Sequence, residues 1–492
     1  MFNLSRNDIK VIGVSFAISL IYLIPMFMAN GYTNDDYMRS FSGVSGWEEN
    51  GRPLSSIMMS ILGLMSGGVF FGKNALIDVF PFNLILSALM FTIAGLSICR
   101  SIGIKNITLQ VLVSISFMLN PFFLGNIAFR FDTLTMASSS VFAVFATTFA
   151  FNKGRKNFLL SVIMVFAMLC TYQASMNLMV ALAVFIFCAK TINDNTNHIL
   201  SFVKCGLSLI FSYVIYSMTI PKVFTFNRYT IESSEMLKPN QIFNGDILNN
   251  MSLFYEGITG ALSGAVGYIL ISLVIIMQVI LLCKLKYITL ENHLAQLTSK
   301  IIIALMPVIL MVLLPGALLL LKNPKFTTRV ILAYPVVVIA CIYTLSLIRN
   351  SKASYFSAIL LACSFPICAT TGNALKLQSD YDNFIAQRIV GKLYDLGYND
   401  SSSLLFWGKR IYQPDVERMV SNMPIIKDVI YPAMANHNWK YYLLGHYGLV
   451  KQSPPVSELS EFKKNHPASK PRFKDKLFSI YVEGNTYAVI FN

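Results

Sequence analysis

Apolar residues gather into long runs that recur from Val11 to Thr371 and then stop. A run of about 18 or more suits a membrane helix, because about 20 residues rising 1.5 Å each cross a bilayer core. In order, the runs predict spans at 11–29, 80–98, 107–124, 133–151, 157–170, 175–190, 200–220, 263–283, 301–321, 329–348 and 353–371. The 157–170 and 175–190 spans are short and are expected to meet in a buried hairpin around Thr171–Ala174. The pattern divides the chain into a membrane body, 1–371, and a tail, 372–492.

The segment Leu54–Phe71 is apolar but carries Ser55, Ser56, Ser60, Ser66 and three glycines, so its crossing is in question. Basic residues decide against it. With 54–71 left at the outer surface, Arg100 and Lys105, then Lys153, Arg155 and Lys156, then Lys284, Lys286 and Lys300, then Arg349 and Lys352 all fall in cytoplasmic turns, as orientation by positive charge requires. The run Val11–Met28 follows Arg6 and Lys10. It is long for a signal peptide and no small-residue cleavage site follows, so it reads as the first span, with the N-terminus cytoplasmic. Asn30–Pro53, Gly125–Asp132, Pro221–Leu262, Lys322–Thr328 and the tail then lie outside, which in a Gram-negative cell is the periplasmic face of the inner membrane.

In the tail, Tyr381–Leu396 has helical spacing and Ser403–Trp407 reads as a strand. Leu477–Val482 and Tyr487–Phe491 flank Glu-Gly-Asn, a hairpin signal, while Gln452–Lys476 reads as a surface loop. The expected fold is mainly α: a polytopic helical body with a small C-terminal α/β domain on the periplasmic side.

Composition agrees. The 492 residues are 55% hydrophobic and 13% charged with a mean hydropathy of +0.59, against about 25% charged in soluble domains. The net charge of +15 sits mostly at the ends of apolar runs, which speaks for orientation and against a nucleic-acid partner. All eight cysteines lie in or beside apolar segments and none forms a C-x-x-C pair, so they read as small buried hydrophobes. Walker A, G-x-S-x-G and H-E-x-x-H patterns are absent, and the five histidines, His437 and His446 included, lack metal spacing. No metal-ligand residues are assigned and no cofactor is called for, while the need for a divalent metal stays open.

Chemistry is expected in the outer segments. Asp35 and Asp36 follow the first span; adjacent acids can raise one pKa and supply a general base. The alternative is that Asn34 caps a short helix and Asp35 pairs with Arg39 at i, i+4. Arg52, before Pro53, either grips a phosphate or anchors the start of the 54–71 segment. Arg130 and Asp132 form an interfacial salt bridge or contact substrate. Tyr172 and Gln173 either bond the backbone of their turn or bind sugar. Lys322, Lys325 and Arg329 are compact and misplaced for topology, so they suit a lipid phosphate, the alternative being an anchor to anionic headgroups.

The motifs D-D-Y-M-R, G-W-E-E-N-G-R-P-L, T-Y-Q-A-S and K-L-F-S-I-Y-V-E-G-N-T-Y-A-V-I-F resemble the Gtr-type serotype-converting glucosyltransferases of enteric bacteria and their phages. The resemblance implies a GT-C type membrane glycosyltransferase that takes glucose from undecaprenyl-phosphate-glucose and adds it to lipid-linked O-antigen repeat units. An acidic residue of the first outer loop then serves as base, here Asp35 or Asp36. Lys322, Lys325, Arg329 and Arg52 would hold the donor phosphate, and Arg39, Arg130, Asp132, Tyr172 and Gln173 would contact substrate. The expected partners are the donor, the acceptor and membrane lipids. A flippase of lipid-linked sugars is the competing class. It would call for repeat symmetry or mid-membrane polar residues, and charged residues inside the spans are nearly lacking. A membrane scaffold is the third.

Overall fold

The computed structural model describes residues 4–348, 353–408, 411–435, 438–449, 462 and 470–491; Arg349, Lys352, His437 and most of 452–476 lie outside them. Among the described residues, eight helices are long and apolar enough to cross a bilayer: Arg6–Ala29, Phe82–Ile102, Thr133–Ala150, Ser175–Asp194, Ile199–Val223, Ala265–Tyr287, His293–Val312 and Tyr355–Asp395. Ser5 starts the first. Its hydroxyl accepts from the Asp8 amide at 3.2 Å while the Asp8 carboxylate accepts from the Ser5 amide at 2.7 Å, a reciprocal cap.

Apolarity located helical segments better than it located their ends. The predicted 301–321 span is instead the helix His293–Val312, because Asn292 caps it by accepting from the Ala295 amide at 3.1 Å. Past Val312 the chain stays apolar but turns, held by Asn177, which donates to the Pro315 carbonyl at 2.6 Å and accepts from the Ala317 amide at 2.8 Å. The predicted 107–124 span breaks after the helix Ile107–Ile115, and Asn120 caps a new turn at Pro121–Phe123. The predicted 157–170 and 329–348 spans are the helices Arg155–Leu169 and Tyr334–Ser346. Pro53–Leu62 is a ten-residue helix. It rises about 15 Å, half the thickness of a bilayer core, and Leu64 and Met65 beyond it take left-handed backbone.

Direct hydrogen bonds tie the polar segments together at one end of the bundle. Arg130 donates to Asn30 Oδ1 at 2.9 Å, Gln173 to the Gly51 carbonyl at 3.3 Å, and Asn227 to Asn50 at 2.9 Å. Asn126 donates to the Arg329 carbonyl at 3.0 Å. Contacts at the opposite end join Arg100 to Asp8 at 2.7 Å and Asn193 to the Ile102 carbonyl at 2.7 Å.

The helix Ala358–Asp395 runs from the bundle into the tail without a break, so the boundary at 371/372 falls inside it. Four strands follow, β1 (Ser403–Gly408), β2 (Phe473–Lys474), β3 (Phe478–Glu483) and β4 (Thr486–Phe491), in the order β1-β4-β3-β2. The β3–β4 hairpin turns at Gly484, and β1 runs parallel to β4. Leu404, Phe406, Ile480 and Val489 of the sheet pack with Ile385, Ile389 and Leu393 of the long helix, and this core also takes in Tyr37 of the first loop. Val416, Ile425 and Ile430 of the tail join the core of the bundle instead. The tail is therefore packed against both the bundle and the first loop.

Candidate active site

After the first span Asn30 turns the chain in left-handed backbone, as does Asn34. The short helix Asp36–Ser42 follows. Asn34 does not cap it: Asp35 holds the cap position without a side-chain cap bond, and Asn34 Oδ1 is buried and unpartnered. The two adjacent acids have different surroundings. Asp36 is fully buried, and its carboxylate accepts from the backbone amides of Arg130 at 2.9 Å and of Thr33 and Phe131 at 3.3 Å each. Burial, with the Asp132 charge adding to it, pushes its pKa up to about 7, against the pull of those amides. Asp35 is half-exposed, and its carboxylate makes no hydrogen bond among the described residues, although its backbone carbonyl accepts from the Arg39 amide at 3.0 Å.

The expected pairings within the loops do not form. Arg39 bonds Asp132 at 3.2 Å rather than Asp35, because the helix turns its guanidinium inward onto the Trp47 ring, 4.3 Å from the centroid. Asp132 also accepts from Trp47 Nε1 at 2.5 Å. Arg130 pairs with Asp78 at 2.8 Å rather than with Asp132, and its guanidinium stacks over Tyr32 and Phe80. Asp78, Trp47 and Tyr32 went unnoticed as site residues in the sequence; the G-W-E-E-N-G motif held the signal for Trp47. It held one for Glu48 too, whose buried carboxylate accepts from Ser45 at 3.0 Å, Ser56 at 2.6 Å and the Gly72 amide at 3.1 Å, tying the Pro53–Leu62 helix to the loop.

Arg52 sits where this loop meets the turn after the Arg155–Leu169 helix. Its Nε donates to Gln173 Oε1 at 3.1 Å and its guanidinium lies 4.6 Å from the Tyr172 ring centroid. Gln173 in turn donates to the Tyr216 hydroxyl at 3.0 Å, which donates to the Gly51 carbonyl at 2.8 Å. Gly51 is left-handed, and a Cβ there would collide with that hydroxyl, so the junction needs glycine. The terminal amino groups of Arg52 make no hydrogen bond or ion pair among the described residues. Burial, reinforced by the nearby Arg329 charge, holds this guanidinium below its usual pKa.

The three predicted phosphate cations part company. Lys322 bonds Glu235 at 2.7 Å on the surface, and Lys325 is exposed. Arg329 reaches inward over Phe129, 4.6 Å from the ring centroid, and into electrostatic range of Arg52. The structure thus brings together Asp36, Arg39, Asp132, Arg52, Tyr172, Gln173 and Arg329, with Asp35 at the rim. Among the described residues no three metal-binding side chains converge.

A family model described as "Glucosyl transferase GtrII" matches residues 24–345, from the first span to the helix Tyr334–Ser346. A Salmonella phage P22 protein, described as "Uncharacterized 55.3 kDa protein in gtrB 5'region", is 25% identical over 508 residues, covering 99% of each chain. The family match takes in Asp35, Arg52, Asp132, Gln173 and Arg329 and spans most of the chain. The chain belongs to the GtrII glucosyl transferase family.

Proposed function

We propose that this protein is an inverting membrane glucosyltransferase that moves glucose from undecaprenyl-phosphate-glucose to lipid-linked O-antigen repeat units on the periplasmic side, as in serotype conversion. One observation carries the reading. Arg52, fixed by Gln173 and Tyr172 and with its terminal amino groups unbonded among the described residues, stands beside Arg329 at the end of the bundle where Asp35 is half-exposed. A half-buried guanidinium whose terminal amino groups are unbonded among the described residues suits the phosphate of a lipid-linked sugar, to which it can donate two hydrogen bonds.

The reaction is a single displacement. The Asp35 carboxylate takes the proton of an acceptor hydroxyl, whose oxygen attacks C1 of glucose from the face opposite the phosphate. The C1–O bond breaks and its electron pair leaves with polyprenyl phosphate. Arg52 and Arg329 stabilise the charge that grows on the leaving oxygen. One displacement inverts C1. Asp36 holds the loop, and Arg39 and Asp132 hold the wall behind it. The basic turns favour a periplasmic site.

The test is purified protein in lipid vesicles with radiolabelled polyprenyl-phosphate-glucose and the lipid-linked glycan. Labelled glycan of opposite anomeric configuration and released polyprenyl phosphate are expected. A flippase would move the donor across the bilayer without releasing polyprenyl phosphate, and a scaffold would do neither; either outcome refutes the reading.

A further inference from the structure

The short helix beside Asp35 cannot place itself. It has seven residues, Asp36–Ser42, and isolated helices shorter than about 12 residues are marginal in water. Its position comes from what holds it. On the bundle side the holder is Asp36, through the amides of Arg130 and Phe131. On the other side the holder is the tail. Tyr37 is buried in the tail's hydrophobic core.

His446 makes the most specific of these tail contacts. Its ring stacks on Tyr32, with centroids 5.9 Å apart and planes at 12°, and meets the Phe41 ring edge-on at 5.8 Å. Its Nε2 lies 3.2 Å from the Ser40 hydroxyl. Tyr32 precedes the two acids, and Ser40 and Phe41 follow them, so one side chain grips both ends of the segment that carries Asp35. Tyr32 is itself fixed from its other contacts by Asp78, to which its hydroxyl donates at 3.0 Å, and by the Arg130 guanidinium 4.9 Å from its ring centroid. Gly445 lets the tail come this close: a Cβ there would lie 2.7 Å from the Phe41 ring.

We propose that His446 is a positioning residue for transfer, by which the tail holds the Tyr32–Ser42 segment, and with it Asp35, at the working distance from the acceptor. The inference rests on Asp35 being the base. A displacement of about 1 Å in a reacting group can cost about 10²-fold in rate, so the grip bears on turnover more than on donor binding.

The experiment uses the full-length protein with a nitroxide label at Met38→Cys, a half-exposed position on the short helix, in a Cys283→Ser, Cys363→Ser background that removes the exposed and half-exposed cysteines. His446→Ala is expected to loosen the label and to lower kcat about 10- to 100-fold with the donor KM within about twofold of the parent. His446→Phe keeps the ring and is expected to restore most of both. A label equally immobile in His446→Ala, an unchanged kcat, or a loss confined to donor KM would overturn the proposal. The label reads the grip without any transfer. A parent protein that transfers no glucose would therefore count against the proposed reaction, whatever the label shows.

Discussion

Arg39 donates to the carboxylate of Asp132 at 3.2 Å, and both side chains are only 5% exposed. Asp35, one helical turn before Arg39, is left out of the pair. The pairing costs Arg39 its freedom to serve a substrate and gives the wall of the site a fixed charge. It also makes Asp132 a shared acceptor, since Trp47 Nε1 bonds its other oxygen. Removing one partner of a buried pair costs about 3–5 kcal/mol, because the other charge stays buried and uncompensated. Asp132→Asn is therefore expected to lower the yield of folded protein and its melting temperature in detergent. A variant as stable as the parent would show that the pair is not buried in the bilayer-embedded protein.

The same loop shows what a sequence carries and what it does not. The apolar spans were legible because burial in lipid demands a continuous property that any window of residues displays. The shortness of the helix in Leu54–Phe71, which ends at Leu62, was legible too, through the serines and glycines of the segment. The predicted 301–321 span missed because Leu313–Leu321 is apolar but breaks the α-helix, turning into a short 3-10 helix at Gly316–Leu320; Asn292 carried the signal for the true start. At the site, the types of residue were legible but their partners were not. Arg39 to Asp132 and Arg130 to Asp78 are set by how three chain segments meet, and no local spacing encodes that. The i, i+4 rule offered Asp35 to Arg39, and tertiary packing overrode it.

Asp36 is expected to leave a signature in the pH dependence of stability. Its folded pKa of about 7 lies above the ordinary 3.8, so the folded protein binds this proton more tightly than the unfolded chain. The resulting stabilisation is full below about pH 4 and is lost as pH rises through about 7. The difference in melting temperature between the parent and Asp36→Asn should accordingly shrink as pH rises from 4 to 8. A constant difference would mean that the three backbone amides keep the carboxylate ionised throughout. Asn offers one acceptor oxygen where Asp36 offers two, and turns an N–H toward an amide donor. That mismatch should cost Asp36→Asn about 1–3 kcal/mol at low pH, and the loss of the parent's protonation-linked stability offsets it as pH rises toward 8.

Arg52 should report on the donor. A hydrogen bond to a charged group is worth about 1.5–3 kcal/mol, so Arg52→Gln is expected to lower kcat/KM for polyprenyl-phosphate-glucose by about 10- to 100-fold. Arg52→Lys should recover only part of that. A lysine cannot bond Gln173 and still present a two-pronged face to phosphate. Initial rates over a range of donor concentrations decide it. Equal kcat/KM for parent and Arg52→Gln would remove Arg52 from the donor site and leave Arg329 to be tested alone.

Asp35 and Asp36 are neighbours in sequence and opposites in structure, and that contrast separates a base from a brace. Asp36 has both carboxylate oxygens committed to backbone amides and is fully buried, so it has no oxygen left for an acceptor hydroxyl. The Asp35 side chain is half-exposed and makes no hydrogen bond among the described residues, so Asp35→Asn removes only its charge near Arg39. A general base contributes about 10²–10⁴ in rate. Asp35→Asn should therefore lower glucose transfer by that factor while the amount of protein in the membrane and the affinity for donor stay at parent values. Asp36→Asn should do the reverse, losing folded protein first and keeping much of the turnover per folded molecule. The measurement is transfer rate normalised to folded protein, side by side with equilibrium binding of a non-transferable donor analogue. If Asp35→Asn transfers at the parent rate, the base lies elsewhere on the loop. Glu49, exposed on the same loop, would be the next carboxylate to test.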